Sequence, residues 1–113
     1  MKKILVDAEP FRFVGQLEKQ KAPRTCERFL ELLPFRNNGT HSRWSGEAVW
    51  IPLGDFDTGL TFENHGSHAS RGDVVLYPGG FSETEFLFVY GSSFVASKMG
   101  QLAGNHFSTL NLA

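Results

Sequence analysis

Two short apolar runs separated by a turn dominate the hydrophobic pattern of the chain. Residues 74–77 (VVLY) and 86–90 (FLFVY) consist of β-branched, aromatic and aliphatic side chains, a composition that favours strands. Pro78, Gly79 and Gly80 lie between the runs and are typical of a tight turn. The pattern predicts that two strands joined by this turn form the element around which the rest of the chain is organised.

The second predicted strand is apolar on both faces. Side chains alternate along a strand, so odd and even positions point to opposite sides of the sheet. One face carries Glu83, Glu85, Leu87 and Val89, and the other carries Phe86, Phe88 and Tyr90. A strand of this kind suits a small barrel, or a sheet covered on both faces, with the two glutamates at its mouth.

One segment has the periodicity of an amphipathic helix. Cys26, Phe29, Leu30 and Leu33 recur at i, i+3, i+4 and i+7, with charged residues between them. Proline at position 23 suits the first turn of a helix and proline at position 34 ends one, so the helix is predicted at residues 23–33. Its buried stripe includes Cys26, which is therefore predicted to be a core residue and not a nucleophile.

The remaining apolar runs predict further strands. They lie at residues 3–7, 11–17, 41–54, 94–96 and 105–112, with a bulge expected at Gly46. Residues 55–72 are rich in turn formers and predict a long loop with at most a short strand at residues 60–62. The predicted fold is mainly β: a single domain over residues 1–113, with a largely antiparallel, curled or closed sheet whose open end the helix covers.

Composition narrows the function classes. The 113 residues include 11 basic and 12 acidic ones, so no strong charge favours nucleic acid or an anionic membrane surface. A single cysteine excludes an internal disulfide framework, and no run approaches the roughly 20 apolar residues that span a bilayer. The simplest expectation is a cytoplasmic protein.

The polar residues around the central strands predict a binding site for a small polar ligand. Arginine can hold a carboxylate through two hydrogen bonds, and a nearby glutamate can accept one from an amine or amide of the same ligand. The candidate residues are Arg43, Trp44, Glu47, Tyr77, Glu83, Glu85, Tyr90 and His106. Two alternatives stay open: an arginine–glutamate pair that only closes the barrel mouth, and a pair of glutamates acting as general acid and base.

A metal site is the competing interpretation. His65, His68, Asp73 and His106 are typical metal ligands, and the segment that follows the first two resembles the first motif of cupins, which are metal-binding barrels. The spacing here is His-x-x-His, whereas cupins have His-x-His, and no glutamate follows at the cupin offset. We therefore expect no metal and no cofactor, and a cupin-like metal enzyme is kept as an alternative.

Several stretches together resemble a known family. They are residues 22–30 (APRTCERFL), 43–48 (RWSGEA), 77–80 (YPGG), 82–85 (SETE) and 100–107 (GQLAGNHF). They are similar to those of a bacterial family with a cyclophilin-like fold that is catalogued only as a domain of unknown function. The resemblance implies a small cyclophilin-like β-barrel.

The same resemblance argues against one activity. The Phe-Met-x-Gln-Gly segment that lines the prolyl isomerase site of true cyclophilins is absent, so that activity is not expected. Whether the chain is an enzyme stays open. A structural role in self-association, with a homodimer as one form, is a further alternative, since a strand with two apolar faces needs two covers and the short chain is rich in aromatic residues.

Overall fold

The fold is mainly β, with one helix. A computed structural model describes residues 3–8, 11–41, 46–79, 83–97 and 100–112. In chain order the elements are β1 (Lys3–Ala8), β2 (Phe11–Leu17), α1 (Pro23–Glu31), β3 (Thr40–His41), β4 (Gly46–Pro52), β5 (His65–Gly66), β6 (His68–Ala69), β7 (Asp73–Tyr77), β8 (Glu85–Phe94), β9 (Ala96–Ser97), β10 (Gly100–Gln101) and β11 (Gly104–Leu110).

The strands form one large curled sheet, a half-barrel. Its order is β1-β2-β11-β7-β8-β4-β3, with β5 added beside β11 and β6 beside β8, while β9 and β10 pair separately. Every one of these pairings is antiparallel. The predicted antiparallel, curled sheet with one helix is confirmed, and the two central strands of the sequence pattern, β7 and β8, lie in its middle.

The sheet buries apolar side chains on both faces. The helix-side cluster contains Ile4, Leu17, Ala22, Cys26, Phe29, Val74, Leu76, Phe86, Phe107 and Leu110. The opposite cluster contains Ala48, Val75, Tyr77, Leu87, Val89, Val95 and Leu102. Neighbouring residues of β7 and β8 alternate between the two clusters, which confirms that these strands are covered on both sides.

The helix packs its predicted stripe onto the sheet. Phe29 is 8% exposed, and its ring centroid lies 4.9 Å from that of Phe107 and 5.7 Å from that of Phe86. The Cys26 thiol is fully buried and donates to the Phe107 carbonyl oxygen over 3.3 Å. Burial, with the nearby charge of Glu63 as a smaller cause, raises the pKa of this thiol to about 11. The prediction that Cys26 is a core residue is confirmed.

The start of the helix is capped from the long loop. Ala22 at the N-cap offers no side-chain hydrogen bond, and the free backbone N–H of Thr25 donates to the Glu63 carboxylate. The buried Asn105 side chain accepts from the Glu63 backbone N–H and donates to the Thr25 hydroxyl and the Thr61 carbonyl oxygen. A fully satisfied polar group of this kind holds residues 61–63 against the helix and β11.

Three local predictions are corrected. The helix ends at Glu31, so Leu33 lies beyond the stripe and is 41% exposed. Residues 41–54 are not one strand, because β3 pairs antiparallel with β4. No strand occurs at residues 60–62; the long loop instead contributes the two-residue strands β5 and β6.

The predicted bulge is confirmed. The β4–β8 register shifts between Gly46 and Ala48, and Gly46 has a φ of 94°, a conformation that favours glycine. In the part of the chain that the structure describes, no helix has both the length and the apolar character needed to cross a bilayer.

Candidate functional site

Glu85 is a buried acidic residue of the curled sheet. It begins β8 and lies opposite Tyr77 of β7 on one side and Pro52 of β4 on the other. Glu85 is 5% exposed and Tyr77 is 3% exposed. By strand alternation the Glu85 side chain lies on the face of Leu87, which belongs to the apolar cluster away from the helix. The structure thus places a carboxyl group at the end of an apolar surface.

The surroundings of Glu85 favour its protonated form. Burial raises its pKa, and the negative charge of Glu83 raises it further. A hydrogen bond with the Trp50 side chain, whose indole N–H can only donate, lowers it. The net result is a pKa of about 7, so Glu85 exchanges a proton near neutral pH. Such a group can serve as a hydrogen-bond acceptor, a donor or a general acid–base.

A cleft is lined in part by Glu83 and Thr84, the two residues that precede Glu85 in the chain. Its volume is about 480 Å³, and Asp55, Asp57 and Glu83 give its lining a negative charge. Thr84 holds two other lining residues in place. Its backbone N–H donates to the Gly54 carbonyl oxygen over 2.9 Å, and its hydroxyl donates to the Phe56 carbonyl oxygen over 2.8 Å. The cleft therefore favours a ligand with positive charge or N–H donors.

Gly79 permits this close packing. Its φ is 94°, and a β-carbon built there would lie 2.7 Å from the Thr84 hydroxyl oxygen. Any larger residue would be strained in the backbone and would push Thr84 out of place. Gly79, one of the turn glycines predicted from the sequence, thus also shapes the cleft.

The sequence-predicted site residues do not all converge on Glu85. Tyr77 lies beside it, and Glu83 is exposed two positions before it. Tyr90 is 43% exposed and five positions further along β8, and the Glu47 side chain packs over Gly91. Five and six strand positions correspond to about 16 and 20 Å of extended chain, so these two side chains are remote from Glu85 along the strand. Arg43 and Trp44 lie outside the described residues.

His106 belongs to a second, smaller cavity of about 210 Å³. His65, His68, Asp73 and Val75 also line it. The Nε2 atom of His106 lies 3.2 Å from the Asp73 Oδ1 atom and 2.9 Å from the Thr109 hydroxyl. That hydroxyl donates to Glu18, so it accepts from His106, which places a proton on Nε2.

The four residues considered for a metal thus share a cavity but not a coordination geometry. Within residues 3–8, 11–41, 46–79, 83–97 and 100–112, no group of three or more His, Cys, Asp or Glu side chains is arranged to hold a metal ion. The His65 ring instead packs against the Phe62 ring in a tilted arrangement, with their centroids 4.9 Å apart. The expectation of no metal stays a prediction.

A comparison with models of protein families shows to which family the chain belongs. The model described as "Protein of unknown function (DUF3830)" matches residues 4–112. The chain belongs to this family. The match extends from β1 to beyond β11, so the half-barrel, the helix and both cavities of this DUF3830 protein lie within it. No curated protein matches the chain.

Sequence reasoning missed two parts of the candidate site. Trp50 lies within the strand predicted at residues 41–54, but its hydrogen bond to Glu85 depends on the pairing of β4 with β8. Asp55 and Asp57 were assigned to a loop without a role, although a long loop with two carboxylates before the predicted turn was the available signal.

Proposed function

We propose that this protein binds a small polar metabolite beside Glu85, through an amine or amide group that donates to the Glu85 carboxylate. The burial of Glu85 at the edge of an apolar cluster carries the proposal. A buried carboxylate costs folding free energy unless hydrogen bonds or opposite charge offset the lost hydration. Retention of such a group is typical of functional sites, where its altered pKa is used.

The neighbouring cleft supports the same ligand chemistry. Its acidic residues attract a cationic group, and about 480 Å³ lies within the range of small-molecule pockets. Trp50, which is partly exposed and hydrogen-bonds to Glu85, adds aromatic surface beside the carboxylate. The ligand is therefore an amine-bearing or amide-bearing metabolite with an apolar part that packs on this ring.

Turnover of the ligand is a second candidate, supported by the proton exchange of Glu85. A carboxyl group with a pKa of about 7 is close to the optimum for general acid–base catalysis at neutral pH. In that case Glu85 would move a proton to or from the bound metabolite, while Trp50 would hold the carboxylate in place.

The proposal also includes the finer features of the family resemblance. We propose that the half-barrel is cyclophilin-like and that the protein acts in the cytoplasm without prolyl isomerase activity. The order of the first elements supports the fold: the β1–β2 hairpin precedes a helix that begins at Pro23. The balanced charge of the chain supports a metabolite over a polyanionic partner.

A thermal screen with matched variants tests the binding site. Amine-containing and amide-containing metabolites should raise the melting temperature of the parent protein, because a ligand that binds only the folded state stabilises it. The Glu85→Gln variant keeps the side-chain size but loses the charge, so its shift should vanish. Glu27→Gln, on the exposed side of the helix, is the control and should respond like the parent. Equal shifts in the parent and in Glu85→Gln would remove Glu85 from the site.

A further inference from the structure

The outer strand β1 combines an open edge with exposed apolar side chains. Among the described residues, β1 pairs only with β2 and forms one end of the large sheet. Leu5 is 65% exposed, and Val14, directly opposite it on β2, is 43% exposed. Exposed apolar side chains on an unpaired edge strand are a template for pairing with another chain.

We propose that a second copy of this chain pairs antiparallel with β1 across a two-fold axis through Leu5. In this register Leu5 faces the partner's Leu5, and Val14 of each copy extends the apolar row. The row then runs across four strands, so it removes part of the most exposed apolar side chain of β1 from water. A two-fold contact of this kind is self-complementary and closes as a dimer.

The charges of β1 select this register. Lys3, Leu5 and Asp7 share one face of the strand, so the proposed pairing sets each Lys3 opposite the partner's Asp7. Asp7 already accepts from Arg12 of β2 over 2.6 Å. On each side of the apolar row, three charges therefore follow one another across the strands: Arg12 (positive), Asp7 (negative) and the partner's Lys3 (positive). This alternation of charge favours pairing.

Other same-face registers lack this complementarity. Within Lys3–Ala8, a shift of the partner strand by two residues sets either Lys3 or Asp7 opposite the partner's Leu5, and both Lys3–Asp7 pairs are lost. Cross-strand opposite charges stabilise a pair, whereas a charge facing an apolar side chain does not. The order of charges around Leu5 therefore specifies one alignment.

The other face of β1 is equally suited to the contact. Ile4 is 7% exposed and belongs to the helix-side core, and Val6 packs against that core. In the proposed register Ile4 lies opposite the partner's Val6, so the two cores become continuous. A six-residue strand gives a small interface, and we expect association that depends on protein concentration.

Sedimentation across micromolar to millimolar protein tests the interface. The parent should pass from monomer to dimer, and the β1 amides should gain protection from hydrogen exchange as the dimer forms. Lys3→Glu sets like charges opposite each other twice per dimer and should raise the dissociation constant by at least about tenfold. Lys21→Glu makes the same charge change at an exposed residue outside the strands and should leave the constant unchanged.

Exchanging the charges of Lys3 and Asp7 distinguishes a loss of the ion pairs from an indirect effect of one substitution. Asp7→Lys should weaken the dimer as Lys3→Glu does, and the double variant Lys3→Glu/Asp7→Lys should recover most of the association because the two opposite-charge pairs are restored. A parent that stays monomeric at millimolar concentration would overturn the proposal. So would a dimer that Lys3→Glu leaves intact, or a double variant weaker than both single ones.

Discussion

Replacing Glu85 with Gln should raise the free energy of unfolding at pH 8 by up to about 3 kcal/mol and should have little effect near pH 4. The physical reason is the pKa of Glu85, which rises from 4.5 to about 7 in the folded protein. One pKa unit corresponds to about 1.4 kcal/mol, and the figure is an upper value for this shift. Gln keeps an oxygen that can accept from Trp50 but never has to ionise in the interior.

The sign of the pH dependence follows from proton binding. Between pH 4.5 and 7 the folded parent holds the Glu85 proton more tightly than the unfolded chain does. Stability from this group is therefore complete below pH 4.5 and is lost as pH rises through 7. The Glu85→Gln variant does not lose this stability, so the difference in the free energy of unfolding between the two proteins grows from pH 4.5 to pH 7.

Chemical denaturation followed by circular dichroism from pH 4 to pH 8 measures the effect. Glu27→Gln, which removes an exposed carboxylate, is the control and should follow the parent. A cost of roughly 3 to 5 kcal/mol for Glu85→Gln at pH 8 would contradict this account. It would support the alternative in which an internal ion pair, with Arg43 as its candidate partner, holds Glu85 ionised.

Replacing Phe29 with Ala should lower the free energy of unfolding by roughly 3 to 5 kcal/mol. The side chain is 8% exposed and contacts the rings of Phe86 and Phe107, so its removal leaves a cavity between the helix and the sheet. These contacts connect the helix to β8 and β11 of the sheet. Denaturant unfolding at one pH gives the difference directly.

Leu33→Ala is the matched control for Phe29→Ala. Sequence periodicity places both residues on one stripe, but Leu33 lies beyond the helix and is 41% exposed. Its replacement should cost at most about 0.5 kcal/mol, the usual range at surface positions. Equal effects of the two variants would show that the helix does not cover the sheet as described.

The sequence predicted those features that depend on near neighbours. Alternation placed Glu85 on the face of Leu87, and the 3.6-residue period placed Cys26 and Phe29 toward the core. The prediction that Leu33 belongs to the buried stripe of the helix was wrong, because periodicity alone does not show where a helix ends. The single strand at residues 41–54 was wrong because strand reversal depends on which segments pair, a long-range property.

The same limit applies to the candidate site. Alternation assigns a face but not a position along a strand, so Glu47 and Tyr90 were grouped with residues from which they are remote along β8. The Trp50 hydrogen bond arises from the β4–β8 register, which no local pattern encodes. His65, His68 and His106 were grouped correctly in space, since one cavity brings them together, but spacing could not show how their rings are oriented.

The proton affinity of Glu85 is the most direct test of the proposed site. A ¹³C NMR titration of glutamate carboxyl groups, with the Glu85 signal assigned by its loss in Glu85→Gln, measures that affinity. The account predicts a midpoint near 7 in the free protein, which should fall when an amine identified in the thermal screen binds the ionised carboxylate. A midpoint near 4.5, or one that the bound amine leaves unchanged, would contradict it.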